Sequence, residues 1–223
     1  MTEPSRKVAI QGELGAFSHE AAKVLLGADV DILPRPTFDA LFEAVVSGAA
    51  YRAVVPIENS LAGTIHENYD RLAASGLRIV AETQLRIRHC LLGRPGASLA
   101  TIRQVASHPV ALAQCRRFFA ERPHIEAVTA YDTAGSVKDL VQGGHDTQAA
   151  IASRLAAETY GAQVMLEAIE DDPENYTRFL LVAREAVPGP PPNKTTIVFT
   201  LAHEPGALHR ALGVFASRGV DLT

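Results

Sequence analysis

The chain has 223 residues, 47% of them hydrophobic and 21% charged, with a mean hydropathy of +0.06. Domains run about 100 to 200 residues, so this length asks for one large domain or a domain and a half with a sizeable core, and it excludes wholesale disorder. The formal net charge of −4 argues against a nucleic-acid footprint, no run approaches the ~18 apolar residues of a membrane span, and the polar start MTEPSRKVAI reads as lacking a signal peptide, which makes the cytoplasm the expected location.

Short β-like runs then alternate with amphipathic stretches. KVAIQG (7–12) is a strand, followed by SHEAAKVLLG (18–27), a helix that Ser18 can N-cap and Gly27 can close. DALFEAVVSG (39–48) reads as helix, YRAVVPI (51–57) as strand, AGTIHENYDRLAASG (62–76) as helix, and LRIVAETQLRIRHCLLG (77–93) as one or two long strands. A second cycle follows: IRQVAS (102–107), a helix from about Val110 to Glu121, IEAVTAY (125–131), the helix DTAGSVKDLVQGG (132–144), QAAIAS (148–153), the helix RLAAETYG (154–161), and the strand TRFLLVARE (177–185). This is α/β grammar. AVPGPPPNK (186–194) can sustain neither a ladder nor a helix interior and reads as a linker. Beyond it, TTIVFTLAH (195–203) alternates like a strand and PGALHRALGVFASRG (205–219) has helical spacing, a pair too small to bury its own core.

Several strand ends deliver polar side chains where α/β proteins build ligand sites. G-E-L-G-A-F-S (12–18) places two glycines before a helix start; a tight βα turn is the plainer reading, with a carboxylate site as competitor. V-P-I-E-N-S-L-A-G (55–63) presents Glu58, Asn59 and Ser60 in a row, more than capping requires. A-S-H-P-V-A-L-A-Q-C (106–115) sets Ser107 and Gln114 seven apart, compatible with one helix side and equally with a cap and a surface glutamine. D-T-A-G-S (132–136) brings Thr133 to a third junction. In E-N-Y-T-R-F-L-L-V (174–182), Thr177 and Arg178 by composition alone suit an edge-strand threonine beside a salt-bridging arginine. Cys90 and Cys115 form no C-x-x-C, and the eight histidines show no ligand spacing, so no metal is expected.

Taken together, G-E-L-G-A-F-S-H-E-A-A, V-P-I-E-N-S-L-A-G, S-H-P-V-A-L-A-Q-C, A-A-I-A-S and N-Y-T-R-F, in that order from about Lys7 to Arg184, resemble prephenate dehydratase. The resemblance implies a lyase of phenylalanine biosynthesis that turns prephenate into phenylpyruvate without a cofactor. It also implies a two-lobed α/β fold similar to type II periplasmic binding proteins. The catalytic unit would span 1–185, with lobe one at about 1–80 and 177–185 and lobe two at about 81–160. The family's catalytic threonine falls on Thr177, with Glu58 beside it as the second catalytic residue, and substrate contacts fall on Asn59, Ser60, Ser107, Gln114 and Thr133. Arg178 is assigned to a substrate carboxylate by its charge. The segment 195–223 resembles the opening β-α of an ACT regulatory domain, with the phenylalanine-binding turn at Gly206, Ala207 and Leu208. That site is expected to be incomplete, because the sequence stops at Thr223 before the family's next motif. Family members imply a homodimer or homotetramer, with L-phenylalanine as allosteric inhibitor. The alternatives are an arogenate dehydratase and a non-catalytic small-carboxylate binder of the same fold.

Overall fold

The alternation of apolar runs and amphipathic stretches resolves into two mixed β-sheets in a computed structural model that describes residues 6–186 and 193–222. The first lobe is built in chain order from β1 (Val8–Gln11), α1 (Phe17–Leu26), β2 (Ile32–Arg35), α2 (Phe38–Val46), β3 (Arg52–Asn59), the two-residue β4 (Gly63–Thr64), α3 (His66–Ser75) and β5 (Arg78–Arg86). The second takes β6 (Cys90–Gly93), β7 (Gln104–Ser107), α4 (Pro109–Ala113), α5 (Arg116–Ala120), β8 (Glu126–Thr129), α6 (Thr133–Gly143), β9 (Gln148–Ala152), α7 (Arg154–Tyr160) and β10 (Gln163–Leu166). The chain then returns, and β11 (Tyr176–Ala183) lies antiparallel between β3 and β5. The sheet orders are β2-β1-β3-β11-β5, with β4 on β3, and β10-β6-β9-β7-β8.

Each sheet is covered on both faces. Leu41, Phe42 and Val45 of α2 pack on one side of the first, Ala21 and Ala22 of α1 on the other. Ala134 and Val137 of α6 face one side of the second, Ala111 and Phe118 of α4 and α5 the other. Double burial explains why β11 reads as an unbroken apolar run: Phe179, Leu180, Leu181 and Val182 are each no more than 2% exposed. At about 1.5–3 kcal/mol per buried side chain, this strand holds the first lobe together. Among the described residues, no helix is long and apolar enough to cross a membrane.

Several local expectations change. The lobe boundary at residue 81 moves, because β5 stays paired with β11 through Arg86, and β10 extends the second lobe past 160 to Leu166. Ser18 does not cap α1; Ala16 occupies that position without a side-chain bond, and Ser18 lies buried inside the first turn. The helix expected over 62–76 starts only at His66. Asn59 Oδ1 accepts from the N–H groups of Leu61 (3.0 Å) and Ala62 (2.7 Å), which makes a turn that folds β4 back onto β3. The helix expected over 110–121 breaks at Gln114 and Cys115, where the Asp171 carboxylate accepts from the N–H groups of Arg116 (3.0 Å) and Arg117 (2.9 Å) and starts α5 anew.

The chain divides into two units near residue 187. Most of the proline-rich linker, 187–192, lies outside the described residues. In the second unit the strand expected over 195–203 is not formed, since among the described residues no neighbouring strand supplies it with a ladder, whereas α8 (Ala207–Ala216) follows the helical spacing of Leu208, Leu212 and Phe215. Gly206 precedes that helix at φ +80, and Phe199 and Phe215 pair at 6.5 Å between ring centroids.

Candidate active site

Within the first unit, a cavity of about 640 Å³ lies where β3, β11 and the start of α1 meet α4 and the start of α6, inside the ~300–1,000 Å³ range of small-molecule sites. Phe17, Pro56, Ile87 and Phe179 give it an apolar wall, and Asn59, His89, Gln114, Thr133 and Thr177 add polar atoms. No Lys or Arg is among the described residues that line it.

Thr177 and Arg178 are neighbours on a strand, so their side chains leave opposite faces. Thr177 faces the cavity. Arg178 instead donates to Glu82 on β5 (Nε to Oε2, 3.0 Å) and does not line the cavity, as the plain salt-bridge reading has it. The same alternation on β3 turns Asn59 inward and leaves Glu58 exposed, opposite Arg178 and Thr64. Ser60 also stays outside, because its hydroxyl donates to the Glu174 carbonyl (2.7 Å) and accepts from the Tyr176 N–H (2.9 Å), stitching the turn to β11. Ser107 is fully buried and donates to the Ile151 carbonyl (2.6 Å) across the β7–β9 pair. Of the sequence candidates, the structure brings Asn59, Gln114, Thr133 and Thr177 together and leaves Glu58, Ser60, Ser107 and Arg178 away from them. Gly206, Ala207 and Leu208 belong to the second unit.

A continuous line of side chains connects the two lobes behind the cavity. Asn59 Nδ2 donates to Thr177 Oγ1 (2.9 Å) and to Asn175 Oδ1 (2.8 Å). Asn175 Nδ2 donates to Gln114 Oε1 (2.9 Å), and His89 Nε2 lies 2.9 Å from that same oxygen. Asn175 is completely buried and His89 is 2% exposed, its ring edge-on to Phe17 at 5.5 Å. Burial pushes the His89 imidazole below the ordinary histidine value, against the opposing pulls of Gln114 and the Glu170 charge. Sequence reasoning passed over both residues. Asn175 sits two places before Thr177 within N-Y-T-R-F, and His89 marks the polar crossing between β5 and β6.

The G-E-L-G turn is an interlobe contact. A Cβ on Gly12 would come within 2.6 Å of Asp132 Oδ2, and one on Gly15 within 2.6 Å of Ala156 Cα. Ser153 donates to the Gly15 carbonyl (2.6 Å), and Lys138 Nζ reaches both Glu13 oxygens at 3.1 Å. Burial pushes the Asp132 carboxyl up, opposed by the N–H groups of Gly135, Glu13 and Ala134.

The family described as prephenate dehydratase matches residues 8–187. The chain is 45% identical over 220 residues to an Arabidopsis thaliana protein named arogenate dehydratase/prephenate dehydratase 2, chloroplastic, covering 97% of this chain and 57% of that protein. It therefore spans little more than half the length of the curated relatives it matches. A prephenate dehydratase from Arthrobacter aurescens, solved in complex with L-Phe, superposes with a TM-score of 0.84 at 35% identity, covering 97% of this chain and 74% of that one. A protein described as GqqA, a novel type of quorum quenching acylase, superposes equally well (TM-score 0.84, 36% identity, 98% of this chain and 80% of that one). The expectation of a cytoplasmic location is overturned by these relatives, several of which are named as chloroplastic. It rested on the polar start of a chain that covers only part of their length, a feature that says nothing about a leader.

Proposed function

The chain belongs to the prephenate dehydratase family, and from that membership we propose that its interlobe cavity carries out the decarboxylative dehydration of prephenate to phenylpyruvate, with arogenate as the alternative substrate of the same chemistry. The reaction breaks the bond from the ring to its carboxylate, releases carbon dioxide, and moves that electron pair into the ring as the C–O bond opposite it breaks. The hydroxyl leaves as water once it takes up a proton. Aromatisation drives the step, so the protein has to hold two carboxylates, assist the departing oxygen and keep the reacting carbons dry.

The observation that carries this reading is the polarity of the Thr177 hydroxyl. Asn59 Nδ2 donates to its oxygen, which leaves its hydrogen free to donate into the cavity. A group so arranged donates a hydrogen bond to the departing hydroxyl and stabilises the charge that develops there. The walls from Phe17, Pro56, Ile87 and Phe179 exclude water around the carboxylate that is lost. The start of α1, which no side chain caps, lines the cavity and offers N–H groups and the positive end of a helix dipole to a carboxylate.

Residues 195–223 are read as the opening of an ACT-like module, with Gly206, Ala207 and Leu208 at its phenylalanine-binding turn. That a relative from Arthrobacter was solved with L-Phe makes L-phenylalanine the ligand to test there, and a homodimer or homotetramer remains the assembly proposed with it.

Purified protein supplied with prephenate and, separately, arogenate is expected to release phenylpyruvate or phenylalanine. Thr177→Val, close in volume, should lower kcat by roughly 10²–10³-fold, the range for losing one donor to a developing charge. Turnover by the valine variant near the wild-type rate would overturn the assignment.

A further inference from the structure

We propose that His89 is a positioning residue for substrate binding: as the neutral Nε2–H tautomer it joins Asn175 in pinning Gln114, so that the glutamine presents its amide NH2, and not its oxygen, to a substrate carboxylate. This rests on the function proposed above, and it follows from the direction of the hydrogen bonds behind the cavity.

Amide orientations are inferred from partners, and here the partners leave one solution. The backbone N–H groups of Leu61 and Ala62 can only donate, so the Asn59 atom facing them is its oxygen. Asn59 Nδ2 therefore faces Thr177 and Asn175. Asn175 must then turn its oxygen to Asn59 and its NH2 to Gln114. Gln114 Oε1 accepts that bond, and the His89 nitrogen 2.9 Å from the same oxygen has to be a donor. The remaining histidine nitrogen, Nδ1, is buried and has no hydrogen-bond partner among the described residues. An unpaired acceptor in a dry wall costs less than an unpaired N–H or an unpaired charge, which again selects the neutral Nε2–H form. With its oxygen held by two donors, Gln114 leaves its amide hydrogens open to the cavity it lines. That donor matters because the described residues of the cavity wall include neither Lys nor Arg, while a dianionic substrate needs hydrogen-bond donors. His89 does this work through Gln114.

The test combines kinetics with a measurement on the resting protein. Nitrogen-15 NMR of the imidazoles should show His89 as the neutral Nε2–H tautomer at pH 7; an Nδ1–H tautomer or an imidazolium at that pH would overturn the proposal. His89→Leu should raise KM about 10-fold or more with kcat within about threefold, the pattern for lost ground-state binding. His89→Gln, which can place a donor near Nε2, should bring KM back to within about threefold. Gln114→Glu keeps the acceptor oxygen but turns a negative charge to the cavity, and should raise KM about 100-fold with the His89 tautomer and the melting temperature unchanged. An unchanged KM in His89→Leu would sink the idea, as would an unchanged KM in Gln114→Glu. If the leucine variant does not fold, the glutamine variant and the tautomer decide. Wild-type protein inactive on both substrates would refute the function and leave the tautomer to judge the hydrogen-bond polarity alone.

Discussion

Asn59 sits where two requirements meet, since its oxygen closes the turn after β3 and its nitrogen polarises Thr177. Asn59→Asp separates them. The carboxylate keeps the turn but puts an acceptor against Thr177 Oγ1 and Asn175 Oδ1, so the threonine hydrogen turns away from the cavity to satisfy it. We expect kcat to fall roughly 10²–10⁴-fold, the span for a lost proton-donating group, and the melting temperature to drop as well, because the completely buried Asn175 Oδ1 then faces a second acceptor. Turnover assays beside a thermal melt check both halves. At this scale the strand-end motifs of the sequence pointed to Thr177 and Asn59, which line the cavity, and equally to their neighbours, which do not. Strand alternation sends Arg178 and Glu58 to the other face, yet adjacency in T-R-F and E-N-S makes all four look like one cluster. His89 and Asn175 escaped notice because a buried polar residue shows its purpose only through partners 25 and 61 residues away along the chain.

The two glycines of G-E-L-G show how an element can be recognised and its reason missed. In sequence they suit a tight turn or an anion cradle. In the fold they let the second lobe approach, since Gly15 has φ +85 and lies against the backbone of α7, which cannot give way. Gly15→Ala is expected to cost about 2–5 kcal/mol, from left-handed strain and backbone overlap together. Gly76→Ala, also at positive φ but facing open space, should cost only about 1–2 kcal/mol. Urea unfolding of the two variants compares them directly, and equal losses would mean that interlobe contact does not constrain the turn. The strands left unread, β2 and β10, are four-residue edge strands partnered on one side, and β2 contains Pro34. An edge need not be apolar on both faces, so it leaves no run to recognise. The centrally placed β11 could hardly be missed.

For the whole molecule, pH acts through groups buried at and between the lobes. Burial lowers the pKa of His89 and of His19, whose Nδ1 accepts from the Gly15 N–H (3.0 Å). Unfolded, both titrate near the ordinary ~6.5. Below that value the unfolded chain binds protons that the native one refuses, so stability is full above it and falls as the pH drops toward the lowered native values. Asp132 and Glu20, raised by burial, act in the opposite sense, with stability lost as pH rises through their native values. Melting temperature is therefore expected to fall between pH 7.5 and 5.5, and the fall should shrink in His19→Gln. An identical pH profile in that variant would remove His19 from the account.

The return of β11 also sets a timetable. β3 and β5 hydrogen-bond to the same strand, yet residues 176–183 leave the ribosome only after the whole second lobe has been made. Until then the first sheet has a vacant central slot flanked by two unsatisfied edges, whereas the second sheet closes from contiguous chain. The later lobe can thus fold first, and the earlier one waits for β11, the last strand of the first unit. That strand carries Thr177, so the hydroxyl proposed to assist the departing oxygen arrives in the step that completes the first sheet.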